Sequence, residues 1–215
     1  MNFENTTNEF GQRSKLATNV CFVDHTNGFK DIHRHGVGAV VMRRQFMPGF
    51  QHWIDGLASP NLPSLRSIVA VEKSAETINA AFNAARTPAG DNRDYLINDA
   101  VALSESFAAL LKVSHIRIRL DVVNDNACCL FHVDQVSARL ICTYRGRGTQ
   151  YGLWRPDSDP KKVHEVATGS PIVIRGTSWD NDVPSGLVHR SPPIEGSGKT
   201  RLLLVLDPIK DIISG

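Results

Sequence analysis

No apolar run in the chain approaches the length of a membrane-spanning helix, which sets aside an integral helical membrane protein. No apolar leader is expected either. Residues 1–18 are polar and rich in Asn and Thr, so the cytoplasm is the expected compartment. Basic residues are not concentrated: 24 Lys and Arg face 22 Asp and Glu, for a net charge of +2. Without a dense cationic stripe interleaved with aromatics, nucleic acid is not an expected partner. Cysteine is scarce, and Cys21, Cys128, Cys129 and Cys142 lack the spacing of a disulfide framework, which fits a reducing compartment. Internal repeats and low-complexity tracts are absent. What remains is ordinary globular composition, 41% hydrophobic and 21% charged over 215 residues, enough to bury a core.

The pattern changes along the chain. Residues 1–19 are expected to be a flexible segment and 20–215 one domain. Val37 to Met42 reads as a buried strand. Phe50, Trp53, Ile54 and Leu57 have helical spacing after Pro48, and Lys73 to Arg86 and Asp94 to Lys112 repeat apolar residues with helical period. From His115 the period becomes two. His115 to Val122 alternates strictly, and Ser137 to Tyr144, Pro171 to Arg175, Gly186 to His189 and Arg201 to Leu206 supply further strands. A helical part (about 45–112) followed by a strand-rich part (about 113–208) predicts an α+β fold. Its core is expected to be a double-stranded β-helix, a cupin-like jelly roll with the N-terminal helices packed against it.

The strand-rich part carries the candidate chemistry. His132 and Asp134 stand one residue apart, His189 follows after a block of strands, and Arg201 comes twelve residues later, near the start of the last strand. Two imidazoles and one carboxylate form the ligand face that holds Fe(II) while leaving positions open for a co-substrate and oxygen. Arg201 can grip a carboxylate bidentately. With eight histidines in the chain, one His-x-Asp triplet arises by chance at odds of roughly one in three. The order of dyad, strands, distal histidine and arginine therefore carries the reading. It predicts an Fe(II)- and 2-oxoglutarate-dependent oxygenase acting on a small molecule or peptide. His132, Asp134 and His189 are the metal ligands and the catalytic centre, and Arg201 binds the co-substrate.

Several alternatives stay open at this point. Thr143, Tyr144 and Arg139 are candidates to hydrogen-bond the co-substrate, and parity alone leaves undecided which of them points inward. A hairpin around Pro192 to Lys199 is expected to make His189 and Arg201 cross-strand neighbours. Trp154 and Trp179 are candidate pocket walls. The same three ligands also suit Zn²⁺, and a non-catalytic binding barrel would need neither metal. His25, His33 and His35 read as solvated loop histidines, and Cys128 and Cys129 as small packed residues before the dyad.

Four strings, Phe131-His132-Val133-Asp134-Gln135-Val136, Leu140 to Gly146 with Gly148-Thr149, Val188-His189-Arg190-Ser191-Pro192-Pro193 and Arg201 to Asp207, resemble a bacterial family known as a domain of unknown function, DUF1826. The likeness runs from about Gly36 to Asp207, and Asp99 and Ala127-Cys128 also fit it. The resemblance implies no established reaction. An association of the family with zinc-homeostasis genes favours the zinc alternative, and the ligand order is similar to that of the 2-oxoglutarate oxygenase superfamily. Cys129, Arg147 and Arg175 depart from the family pattern.

Overall fold

The computed structural model describes residues 16–180 and 183–209, so most of the expected flexible segment 1–19 lies outside the described residues. In chain order the elements are β1 (Asn19–Val23), a 3₁₀ helix (Thr26–His33), β2 (Val37–Met42), α1 (Phe50–Gly56), β3 (Leu65–Ala70), α2 (Ser74–Ala84) and α3 (Asp91–Leu111). There follow β4 (His115–Val123), β5 (Ala138–Arg145), β6 (Gln150–Leu153), β7 (His164–Glu165), β8 (Ile172–Arg175), β9 (Leu187–Arg190) and β10 (Arg201–Ile209). The fold is mixed α/β with one large sheet, ordered β1-β2-β8-β5-β10-β4-β3, and a smaller one, β7-β6-β9. From β4 onward the strands are divided between the two. Among the described residues, no helix is long and apolar enough to cross a membrane.

The period-two pattern explains why the large sheet sits between two cores, since alternate side chains on a strand leave opposite faces. Leu140, Cys142 and Tyr144 of β5, Leu202, Leu204 and Leu206 of β10, and Ile116, Ile118 and Leu120 of β4 pack with Leu96, Leu103 and Phe107 of α3. Each such fully buried side chain stabilises the fold by about 1.5–3 kcal/mol. The intervening residues, Ile141, Leu203 and Val205, face the small sheet and meet Tyr151 and Leu187 there. Odd-numbered residues of β5 as far as Thr143 and of β10 as far as Asp207 therefore look into the space between the sheets. That parity decides which polar side chains can form a site.

The three expected helices are present, as are the expected strands. Four strands went unmarked in the sequence. β1 pairs in parallel with β2, and Ala17 N–H bonds to Pro184 O at 2.8 Å, so Ala17 and Asn19, inside the segment expected to be flexible, are paired with the rest of the chain. β3 is an edge strand whose alternation is interrupted by polar Arg66 and Ser67. β6 and β7 are too short for a period to show. The stretch Pro192 to Lys199 is no hairpin within one sheet. It crosses from β9 in the small sheet to β10 in the large one.

One close approach fixes the segment that carries the dyad. Backbone N–H groups of Gly176, Thr177 and Ser178 donate to Ser137, Asp134 and Val136 carbonyls at 2.8–3.1 Å. A Cβ on Gly176 would lie 2.0 Å from Val136 O and 2.6 Å from Asp134 O, a collision with backbone that cannot rotate away. Gly176→Ala is therefore expected to destabilise the protein by about 1–3 kcal/mol in urea unfolding. Gly56→Ala, whose added methyl meets nothing within 4 Å, should leave stability unchanged or raise it by about 0.4–1 kcal/mol.

Candidate metal centre

His132 and His189 are joined by a reciprocal pair of backbone bonds, N–H of each to O of the other, both at 3.0 Å. This isolated antiparallel bridge fastens the loop between β4 and β5 to the edge of β9. Residues so paired have their side chains on the same face, and the imidazole centroids lie 4.6 Å apart. The loop is tied a second time, because Asn126 Oδ1 accepts the N–H groups of Ile194 and Glu195, and Ser191 N–H donates to Cys128 O.

Asp134 completes the cluster. One ligand atom from each of His132, Asp134 and His189 can be chosen so that all lie within 4.8 Å of one another, and among the described residues no other group of three such side chains does this. His189 and Asp134 are buried, and His132 is half-exposed. His132 Nδ1 lies 2.8 Å from Leu130 O, so with the proton on Nδ1 the Nε2 lone pair is turned to Asp134 Oδ1, 3.5 Å away. His189 Nε2 sits 3.1 Å from Asp134 Oδ2 yet without hydrogen-bond geometry, and that oxygen is buried with no donor. Two imidazole nitrogens and one carboxylate oxygen are thus gathered within reach of one ion. A donor set of two nitrogens and one carboxylate oxygen, one backbone carbonyl already fixing an imidazole tautomer, fits a divalent first-row metal.

Electrostatics keep two of the three ligands in the forms that bind a cation. Burial would raise the Asp134 pKa, but His132, His189 and Arg139 outweigh it and hold the carboxyl well below its usual range. Burial lowers the His189 pKa and leaves that ring neutral. The Asp134 carboxylate raises the His132 pKa against the effect of burial. A metal must therefore displace a proton from His132 when the pH lies below that raised value. Affinity for Co(II) is expected to fall as pH drops through this range, approaching about tenfold per pH unit for one proton displaced, in calorimetric titrations from pH 8 to pH 5.5.

Behind the triad stands a charge relay that the sequence reading missed. Arg139 bonds to Asp134 Oδ1 and grips Asp207 bidentately, Nε to Oδ1 at 2.6 Å and Nη2 to Oδ2 at 3.1 Å. Arg139 thus shares its face with the site, and three of its five N–H donors go to two carboxylates. Asp207 was legible in principle, because it has the inward parity of Arg201, Leu203 and Val205 and ends an apolar strand. Removing one partner of a buried pair strands the other. Arg139→Leu should cost about 3–5 kcal/mol in denaturant unfolding, and Arg139→Leu with Asp207→Leu should recover most of it.

The other expected residues divide by parity. Arg201 points into the space between the sheets and is 1% exposed. Its Nε donates to Arg147 O at 2.8 Å and Nη1 to Ser191 Oγ at 2.9 Å, while Nη2 is buried without a partner. Burial pulls its pKa down to about 10, which leaves it cationic at neutral pH. Gly146, at φ +79°, makes room for it: a Cβ there would meet Arg201 Cγ at 2.9 Å. Arg201 and His189 are not cross-strand neighbours as expected, because they belong to different sheets; Ser191 links them instead. Thr143 shares the inward face and is buried. Tyr144 does not reach the site. It lies on the helix side, where its hydroxyl donates to Asp99 Oδ2 at 2.7 Å, and Asp99 also pairs with Arg44.

Next to the triad is a cavity of about 270 Å³, lined among others by His132, His189, Arg139 and Ser191. Neither tryptophan walls it. Trp179 packs against His33 and under Arg175, and Trp154 lines a separate cleft of about 800 Å³ with Tyr151 and Lys161. The larger cleft holds none of the three clustered ligands. His25, His33 and His35 are exposed, and Cys128 and Cys129 stay outside the cluster.

Residues 23–207 match the model of a family described as "Protein of unknown function (DUF1826)". The chain belongs to this family. No curated protein matches this DUF1826 member. Its fold is similar to that of two solved plant enzymes. One is dioxygenase for auxin oxidation 1 from Arabidopsis thaliana, in a binary complex with 2-oxoglutarate, at 10% identity and a TM-score of 0.52, covering 91% of this chain and 93% of that one. The other is dioxygenase for auxin oxidation from rice, at 12% identity and 0.51, covering 91% and 84%. At such identities the likeness is one of fold.

Proposed function

We propose that this DUF1826 protein is an Fe(II)- and 2-oxoglutarate-dependent oxygenase. Its strands from β4 to β10, with the His132 segment paired to β9, would form a double-stranded β-helix with the site between the sheets. The observation that carries the reading is the pairing of two features in one interior. Three ligand atoms converge from His132, Asp134 and His189, and a buried guanidinium, Arg201, keeps one donor free. A zinc carrier would use the triad but has no need of the arginine.

In this reading His132 Nε2, His189 Nε2 and the Asp134 carboxylate would hold the metal. Fe(II), when bound, supplies the redox chemistry that couples decarboxylation of the 2-oxo acid to oxidation of a second substrate. Arg201 receives the distal carboxylate of 2-oxoglutarate through Nη2, with Ser191 and the Arg147 carbonyl holding the guanidinium plane. Arg139 and Asp207 keep Asp134 ionised and aimed. The interior walls, Ile141, Leu203 and Val205, exclude water and strengthen these charge contacts. The auxin dioxygenases give the same fold a related chemistry, which supports the class and says nothing of the substrate here.

Anaerobic addition of Fe(II) and 2-oxoglutarate should produce a weak visible charge-transfer band, absent in His132→Ala. Arg201→Ala should weaken 2-oxoglutarate binding by on the order of 10–100-fold, the worth of a charged hydrogen bond, while metal content is retained. Tight zinc without the band and without oxygen-dependent succinate would favour a zinc-binding protein. Metal retained after both His132→Ala and His189→Ala would point to a binding barrel without a centre at these residues.

A further inference from the structure

A second arginine is left under-bonded, this one in the cavity beside the triad. Arg119 lies on β4 with its side chain turned into the pocket beside the triad, 18% exposed. Its guanidinium stands 3.5 Å from Asp207 Oδ2 and 3.6 Å from Asp121 Oδ2, ion-pair separations that are too long for good hydrogen bonds. Nε is buried with no acceptor. Among the described residues nothing accepts a hydrogen bond from this side chain. Burial and the nearby Arg139 charge both work against its cation. Leaving such donors unmade costs stability unless something else accepts them.

The rest of the lining has the same sign. Arg66, Arg119, Arg139 and Arg190 stand against Asp121 and Asp125. Asp121 is shared between two of these cations, 3.6 Å from Arg66 and from Arg119, and Asp125 Oδ1 accepts the Ala127 N–H. With four cations against two carboxylates, the lining favours an anion over an ammonium group. The volume also restricts the occupant, since about 270 Å³ falls under the roughly 300–1,000 Å³ of clefts for drug-sized ligands. A co-substrate and a second molecule sharing this space must both be small.

We propose that the pocket takes a small anionic second substrate, a carboxylate or a phosphate monoester, whose charged oxygens bind Arg119 with Arg66 at the rim. This rests on the oxygenase reading for the word substrate, and on the pocket alone for the anion. Arg201 and Arg119 then have separate tasks: one holds the co-substrate and the other selects the molecule to be oxidised.

Three probes of similar shape test the idea by calorimetry: benzoate, phenyl phosphate and neutral benzamide. Each is titrated into protein saturated with Co(II) and 2-oxoglutarate, and separately into metal-free protein. At least one anion should bind in both states while benzamide does not, and which anion binds identifies the headgroup. Arg119→Gln should weaken that binding on the order of tenfold or more, and Arg119→Lys by less. Arg201→Gln, measured without 2-oxoglutarate, should leave it intact. Should Arg119→Gln fail to fold, Arg66→Gln at the exposed rim serves, with a smaller loss expected. Equal binding of benzamide, no anion binding to wild type, or binding lost with Arg201 and untouched by Arg119 and Arg66 would overturn the proposal. Arg119-dependent anion binding in a protein that takes up neither Co(II) nor 2-oxoglutarate would sink the oxygenase reading and leave the anion site standing.

Discussion

Two hydrogen bonds decide whether this protein has a site at all. The backbone of His132 bonds both ways to the backbone of His189, across the gap between a loop and the edge of a three-stranded sheet. Without that bridge the fifty-odd residues between the histidines would impose no reason for the two rings to meet. With it, the rings are cross-strand neighbours by construction, and the pleat turns both to one face. The clasp of Gly176, Thr177 and Ser178 on the carbonyls of residues 134–137 then sets Asp134 at the third corner. Local backbone pairing, rather than any side-chain attraction, assembles the centre.

The charges around it carry a different kind of order. Asp134, Arg139, Asp207 and Arg119 form a buried chain of alternating sign. Such chains are weak evidence for stability, because desolvation consumes most of what the ion pairs return. Their presence is easier to understand as orientation. Arg139 bonds one oxygen of Asp134 and leaves the other facing His189, and it does so from a strand anchored in the large sheet. Arg119 and Arg201 are different: each keeps a buried donor without an acceptor, and Arg119 lines the cavity beside the triad.

Much of this was legible in the residues and some was not. Helical periods at Lys73 to Arg86 and Asp94 to Lys112 and the strict alternation from His115 were strong enough to place elements, and the order His132, Asp134, His189, Arg201 named the cluster. Alternation could not say which face of β5 was inside, so Arg139, Thr143 and Tyr144 were indistinguishable until the sheet was seen to lie between two apolar layers. Tyr144 belongs to the helix side with Asp99. The link from His189 to Arg201 has the loop composition of a hairpin and yet crosses between sheets, since short polar loops serve both connections equally well. Strands β6 and β7 are shorter than one detectable repeat. Arg119 gave no motif and Asp207 only the end of a family string, so parity with known inward residues was the signal for their roles.

The account stands or falls on a single ion being held in common by three side chains. Crystals grown anaerobically with Fe(II) and 2-oxoglutarate, with data collected at the iron absorption edge, locate that ion directly. One strong anomalous peak bonded to His132, Asp134 and His189 at once, with 2-oxoglutarate reaching from it to Arg201, is the outcome required. Iron bound elsewhere, or these three residues found closed on one another with no peak between them at saturating Fe(II), would contradict it.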